Sequence, residues 1–481
     1  MYYPDKTTMR ILRKEYDFIP VYATLPYDGK DILDIYQAYR GPFTFLLESG
    51  TQTYQGRYSI IALSCTHRFV CDENQCFDIQ GDHKTSLHGQ PLKLLETMLK
   101  KKSPIYPNIP VFSGGAIGHF NYDIAGLYED IMQHEQISLD LPMMQFGFAR
   151  ELIVIDHTDQ SVYFIVNAEA DTCLEEYDTI CQNIKQMMTR YQEALPFVKT
   201  MDSHTRNFHT SHDKQSFMKM VDKAKKYIYD GEIFQVVLSQ RIDCDYKEDP
   251  LQAYAKLRSM GSSPYMYYLD FDDYVIAGVS PELLLQGRGD LIKTKPIAGT
   301  RKRGKDESQD ARLMNELIHD PKENAEHMML VDLGRNDIGK VSKSGSVQVT
   351  ALKQIEYYST VMHLCSEVEG ELKTGLTAFD AFVSVLPAGT LSGAPKIRAM
   401  QIINELEHSK REVYGGAIGF LGYNQQFDTC ITIRTILFHN QKAYVQAGAG
   451  IVKDSQPDKE YEETLHKAAS LLYALGSEVT I

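Results

Sequence analysis

Apolar positions in the first 190 residues come in short runs broken by turn formers, the pattern of strands. Strands are predicted over 43–49 and 57–62, a glycine-rich turn and strand over 114–123, and a hairpin over 151–155 and 161–166. Residues 175–191 read as a helix. Beyond a polar stretch rich in His, Ser and Thr, Phe217, Val221, Ala224 and Ile228 recur at helical spacing and stop at Gly231. Further strands are predicted over 233–240, 265–269, 273–279, 416–423 and 443–449. Helices and strands mix without a strict βαβ rhythm. The expected class is therefore α+β with large antiparallel sheets. The division expected is a first region 1–195, a polar connector 196–214 and a second region 215–481. Gly114-Gly115-Ala116-Ile117-Gly118 recurs letter for letter as Gly415-Gly416-Ala417-Ile418-Gly419, as equivalent strands of two related half-sheets would.

The stretch 320–340 carries the strongest local signal. Asp320 reads as an N-cap, Pro321 as the first helical residue, Glu323 as the far half of a capping box, and Gly334 as a stop. Glu323 and Glu326 are three apart and share a helix face. A second acidic start follows at 455–463, where Glu460, Glu463 and Lys467 fall on one face beside the apolar stripe Tyr461, Leu465, Ala468 and Leu472. Either pair alone is better read as a cap or as an exposed Glu463–Lys467 contact. Two buried-looking helices each opening E-x-x-E suit a hard divalent cation such as Mg²⁺, which takes one or two carboxylates and keeps several waters. Between the acids lie three loops of small residues, at 295–304, 388–396 and 446–450. Their exposed backbone N–H groups, with Arg434 as a bidentate clamp, suit a substrate bearing carboxylates.

Composition narrows the classes. A net charge of −14 speaks against a nucleic-acid binder, and no run approaches a membrane span. The first residues hold no signal-peptide core, so a cytoplasmic location is expected. Eight cysteines without a C-x-x-C pair read as reduced thiols, with no zinc site. Trp is absent from all 481 positions.

Several motifs together resemble a known family. They are G-E-I-F-Q-V-V at 231–237, S-P-E at 280–282, P-I-A-G-T-R at 296–301, the acidic helix through L-G-R-N-D, V-M-H-L at 361–364, A-G-T-L-S-G-A-P-K at 388–396 and E-Y-x-E at 460–463. With these the chain resembles the chorismate-utilising enzymes, specifically the large aminase subunit of anthranilate synthase, over nearly its whole length and most strongly over 222–472. The resemblance implies two facing antiparallel sheets, helices outside, and a site in the cleft between them. It implies Mg²⁺ on Glu326 and Glu463, supported through water by Glu323 and Glu460. It implies chorismate carboxylate contacts at Gly299, Thr300, Tyr414, Arg434, Gly448, Ala449, Gly450 and Lys467, with Thr390 and His363 lining the ring and Glu282 as general acid.

Two positions speak to chemistry within that family. Water-adding relatives carry Lys where this chain has Gln235, and C4-aminating relatives carry Lys where it has Ala298. The expectation is amination of chorismate at C2 by ammonia, with loss of the C4 hydroxyl and pyruvate. The rival readings are C4 amination in folate synthesis and a non-catalytic chorismate or tryptophan sensor. No G-x-C-x-G nucleophile elbow occurs, so a separate glutamine amidotransferase subunit is the expected ammonia source. Glu48, Ser49, Pro264, Tyr265 and Met266 match segments that bind the inhibitor L-tryptophan in sensitive relatives, although Gly261-Ser262-Ser263 departs from the usual Asn-Pro-Ser.

Overall fold

The computed structural model describes residues 2–50, 56–73, 75–107, 109–110, 112–131, 138–200, 206–358 and 361–477. Positions 201–205 of the expected connector lie outside the described residues.

Two antiparallel sheets, each of twelve strands among the described residues, form the frame. The first runs Phe18–Pro26, Ser161–Glu169, Glu151–Asp156, Tyr58–Leu63, Phe45–Glu48, Tyr265–Asp270, Tyr274–Ser280, Thr435–His439, Lys442–Ile451, Gln235–Asp245 and His209–Thr210, with Gly393–Ala394 also on the Gln235 strand. The second runs Ile297–Lys302, Val361–Glu371, Leu291–Thr294, Leu283–Arg288, Gln426–Ile431, Ala417–Gly422, Gly115–Phe120, Met144–Ala149, His67–Cys71, Cys76–Gln80 and His83–Leu87, with Gln348–Tyr357 also on the Val361 strand. In both, strands from the first 170 residues fill one side and later strands the other. The seams are Met266 against Glu48 in the first sheet and Gly118 against Gly419 in the second. The repeated glycine segments are thus the two innermost neighbours of the second sheet, one from each side.

The layers follow from which faces are apolar. Phe45, Ile60, Val154, Tyr267 and Ile276 of the first sheet meet Ile117, Ile418 and Cys430 of the second in a core between them. The outer face of the first sheet is covered by helices that include Ile32–Tyr39, Cys173–Gln192, Pro250–Ser259 and Pro457–Ala474. Helices Pro91–Leu99, Pro321–Val341 and Ala378–Val385 cover the second. Lys214–Tyr229, capped by Asp213, packs with Lys396–Glu407 on the Gln235 and Lys442 strands. This is the expected α+β sandwich. No helix of the described residues is long and apolar enough to cross a membrane.

Four local expectations change. The acidic helix does not stop at Gly334 but runs to Val341. Gly334 lies where the helix crosses the second sheet, and a Cβ there would meet Thr294 Cγ2 at 3.4 Å. Asp320 caps Lys322 and Glu323 through their N–H groups, but the capping box is not closed, because Arg301 takes the Glu323 carboxylate at 2.9 Å. Arg434, which the strand-like run 432–437 would place within a strand, instead precedes it, at φ 52°. Cys71 and Cys76 are disulfide-bonded rather than free: they are direct partners across a hairpin, with Cα atoms 4.1 Å apart. The other six cysteines are thiols.

Candidate active site

The site is assembled where late strands of both sheets approach the starts of the two acidic helices. Ile297–Lys302, an edge strand of the second sheet, bends at Gly299 with φ 78°. A Cβ at Gly299 would sit 3.2 Å from Glu323 Oε2, so the glycine lets this strand lie directly against the acidic helix. Thr300 Oγ1 and His363 Nδ1 on the neighbouring strand are 2.9 Å apart. Burial lowers the His363 imidazole below its ordinary range, leaving it neutral at pH 7. Beneath them the buried His327, lowered to about 4 by burial, meets Ser366 Oγ at 2.6 Å and ties the acidic helix to the sheet.

From the first sheet come Gly448, Ala449 and Gly450, paired with Ser239, Leu238 and Val237. Side chains alternate along a strand, and the two glycines face one way while Ala449 packs outward among the helices. Only the backbone of Ala449 is left for a ligand, in keeping with a contact made through N–H groups. A Cβ on Gly448 would stand 2.9 Å from Tyr414 Oη, and one on Gly450 2.6 Å from Gln235 Nε2. Gln235 and Tyr414 are therefore packed onto that strand. Gln235 Oε1 is buried without a hydrogen-bond partner among the described residues. Lys467 Nζ donates to Gly448 O at 2.9 Å and pairs with Glu463 at 2.7 Å, and Arg434 donates to Lys467 O.

Glu282 sits at the back of the site, 7% exposed. Burial pushes its carboxyl up to about 8, opposed by Thr390 Oγ1 donating at 3.0 Å, by the Ile297 N–H and by Lys467. At pH 7 it is a neutral acid with a proton to give. Thr390 comes from the loop of small residues expected to line the ring.

The four glutamates gather loosely. Burial raises Glu326, reinforced by the charges of Glu323 and Glu463 and opposed by Lys322 and Lys467. Glu460 is raised for the same first reason and by Glu463. Both acidic pairs thus share one electrostatic neighbourhood, with Glu323 held by Arg301 and Glu463 by Lys467. Among the described residues no three metal-ligating side chains are drawn together. Excess negative charge on all-oxygen donors nevertheless fits a hard divalent cation that needs only two of them. Arg301 was not singled out in sequence, although it stands in the quoted P-I-A-G-T-R run.

The five residues expected at a regulatory site also meet. Glu48, Ser49, Pro264, Tyr265 and Met266 line a cavity of ≈ 460 Å³ between the sheets. Glu48 is buried and accepts from Tyr254 at 2.6 Å and Arg258 at 2.9 Å. Asp428, which sequence reasoning passed over, lies in the same wall between Tyr265 and Gln286, its carboxyl raised by burial.

Comparison with known proteins agrees with this geometry. The profile of the chorismate binding enzyme family matches residues 42–473. The anthranilate synthase component 1 of Acetivibrio thermocellus is 44% identical over 99% of both chains, and that of Bacillus subtilis is 41% identical over 94% of this chain and 91% of its own. The crystal structure of anthranilate synthase component I from Streptococcus pneumoniae superposes with a TM-score of 0.79 at 36% identity, covering 93% of this chain and 98% of that one. The menaquinone-specific isochorismate synthase of Escherichia coli, 20% identical with a TM-score of 0.70 over 98% of this chain and 99% of its own, shares the fold. The chain therefore belongs to the chorismate-binding enzyme family and, within it, to the anthranilate synthase component 1 group.

Proposed function

We propose that this chain converts chorismate and ammonia to anthranilate, pyruvate and water, aminating the ring at C2. The observation that carries the reading is Glu282, a carboxyl that stays protonated at neutral pH beside the groups suited to hold a substrate carboxylate. Lys467, Arg434, Tyr414 and the N–H groups of 448–450 bind and orient the carboxylates. Glu282 gives its proton to the C4 hydroxyl, which leaves as water while ammonia forms the C2–N bond. Loss of the C2 proton and breaking of the C3–O bond then release pyruvate and give the aromatic ring, with neutral His363 on Thr300 beside that step. Gln235 is no base, so it does not generate hydroxide, whereas ammonia brings its own lone pair. Ala298 is too small to cover ring C2.

Mg²⁺ suits the acidic pairs, with Glu326 and Glu463 as ligands and Glu323 and Glu460 holding its waters. Bound there, it would neutralise the ring carboxylate and draw electron density from the ring. Its test is chorismate binding by calorimetry: Mg²⁺ should tighten binding to the wild type and leave Glu326→Ala unaffected. Equal Mg²⁺ dependence in both would remove Glu326 from the set.

The component 1 naming of the relatives supports a second component, which we take to be a glutamine amidotransferase that feeds ammonia in the cytoplasm. The cavity between the sheets is taken as the tryptophan inhibitor site. The pure chain with chorismate, Mg²⁺ and ammonium should produce anthranilate fluorescence, and glutamine should not replace ammonium. Release of 4-amino-4-deoxychorismate instead, or turnover with glutamine alone, would overturn the reading.

A further inference from the structure

Arg411 and Glu407 are both about 2% exposed and lie behind the site rather than in it. Arg411 Nε and Nη2 donate to the two Glu407 oxygens at 2.8 and 2.6 Å. Of the three N–H donors left, two go to backbone carbonyls of different segments: one on Nη1 to Leu391 O at 2.6 Å and one on Nη2 to Val237 O at 2.7 Å. Leu391 directly follows Thr390, which holds Glu282. Val237 is the strand partner of Gly450. Glu407 Oε1 in turn accepts from Ser239 N at 2.7 Å and Ser239 Oγ at 2.9 Å, and Ser239 is the partner of Gly448. The guanidinium also lies 5.6 Å from the centre of the Tyr414 ring and 4.7 Å from that of Tyr122.

One buried pair therefore grips the loop of the general acid's partner, the strand that faces both site glycines, and the ring of Tyr414. A buried ion pair loses so much hydration that apolar residues of the same shape often serve stability as well. Its fork of fixed donors does what an apolar group does not: it sets distances between segments far apart in sequence. We propose that Arg411 and Glu407 are positioning residues of the active site, holding Thr390 and the 237–239 strand in register so that Glu282 and the carboxylate contacts meet the same ring. This rests on the reading of Glu282 as the acid.

The test uses Arg411→Lys, which keeps the charge but loses the fork, and Glu407→Gln, which keeps the shape but loses the charge. Thermal unfolding checks the fold of each. Calorimetry gives the chorismate Kd, and kcat with ammonium is followed against pH. Loss of fixed geometry should lower kcat at least tenfold and weaken chorismate binding. Because the Thr390 bond holds the Glu282 carboxyl down, loosening it should move the alkaline limb of the profile to higher pH. Thr390→Val should then add little in the Arg411→Lys background. Wild-type kcat and limb, full additivity with Thr390→Val, or failure of both variants to fold would overturn the proposal and leave the pair a fold element. If the wild type binds chorismate but forms no anthranilate, the proposed reaction has failed. The Kd of the variants still tests the pair in that case, and an unchanged Kd would overturn it.

Discussion

At the residue scale the decisive group is Glu282. Its acid form persists to about pH 8, so turnover per free ammonia should be flat through neutrality and fall above that value. Glu282→Gln should lose about 10²–10⁴-fold in kcat, the usual contribution of a positioned acid. Thr390→Val removes a donor that favours the carboxylate, so its alkaline limb should shift upward. A pH profile of anthranilate formation checks both signs. None of this was visible from Glu282 in the sequence, where S-P-E is a short turn-like tripeptide and only the family resemblance named it. Burial does the work, and burial here comes from segments 282, 297 and 390 meeting across the fold. Gly448 and Gly450 were legible as places for small residues. That Ala449 between them faces outward follows from strand alternation once the strand's faces are known.

At the element scale the acidic helix is the instructive case. Its start was readable because capping is local: Asp320, Pro321 and the first-turn acid lie within four positions of one another. Its end was misread because a mid-helix glycine and a stop glycine look alike in sequence. Gly334 is retained where the helix crosses Thr294 and Val368, with room for one methyl group at 3.4 Å or more. Gly334→Ala should therefore stabilise the chain by roughly 0.5–1 kcal/mol, the helix-interior difference between the two residues. Urea unfolding measures it, and destabilisation would mean that the sheet cannot yield to a methyl group there. The open capping box has a similar moral. Glu323 has the right spacing, but a cation from a distant strand competes for its carboxylate more strongly than its own N-terminus does.

At the scale of the whole molecule, the hydrophobic pattern gave ten of the twenty-four strands among the described residues and the α+β class, yet not which strands would be neighbours. The five expected effector residues come from segments some 215 positions apart, and they meet only because Phe45–Glu48 and Tyr265–Asp270 are adjacent at a seam. The same cavity wall includes Asp428 and Cys430, whose strand continues to Ile431, which donates its N–H to the Glu282 carbonyl at 3.0 Å. The proposed effector cavity and the proposed acid thus share one strand. Ser49→Phe should raise the tryptophan concentration for half-inhibition at least tenfold while uninhibited turnover stays near wild type. A titration of anthranilate formation decides it, and superimposable curves for the two proteins would remove the regulatory reading.

The seams also bear on how the chain is made. Gly118 waits for Gly419, so the strand at the centre of the second sheet lacks its inner neighbour until about 300 further residues have left the ribosome, a separation that makes pairing slow. Until its seam closes, each unfinished half-sheet presents an open edge of N–H and C=O groups, the kind of edge that recruits other chains. Nascent chains stopped near residue 200 should accordingly bind chaperones or aggregate, and those carried past residue 451 should become protease-resistant together rather than half by half. Both sheets would thus be finished late, the first once Tyr265–Asp270 can reach Phe45–Glu48 and the second only once Ala417–Gly422 can reach Gly115–Phe120.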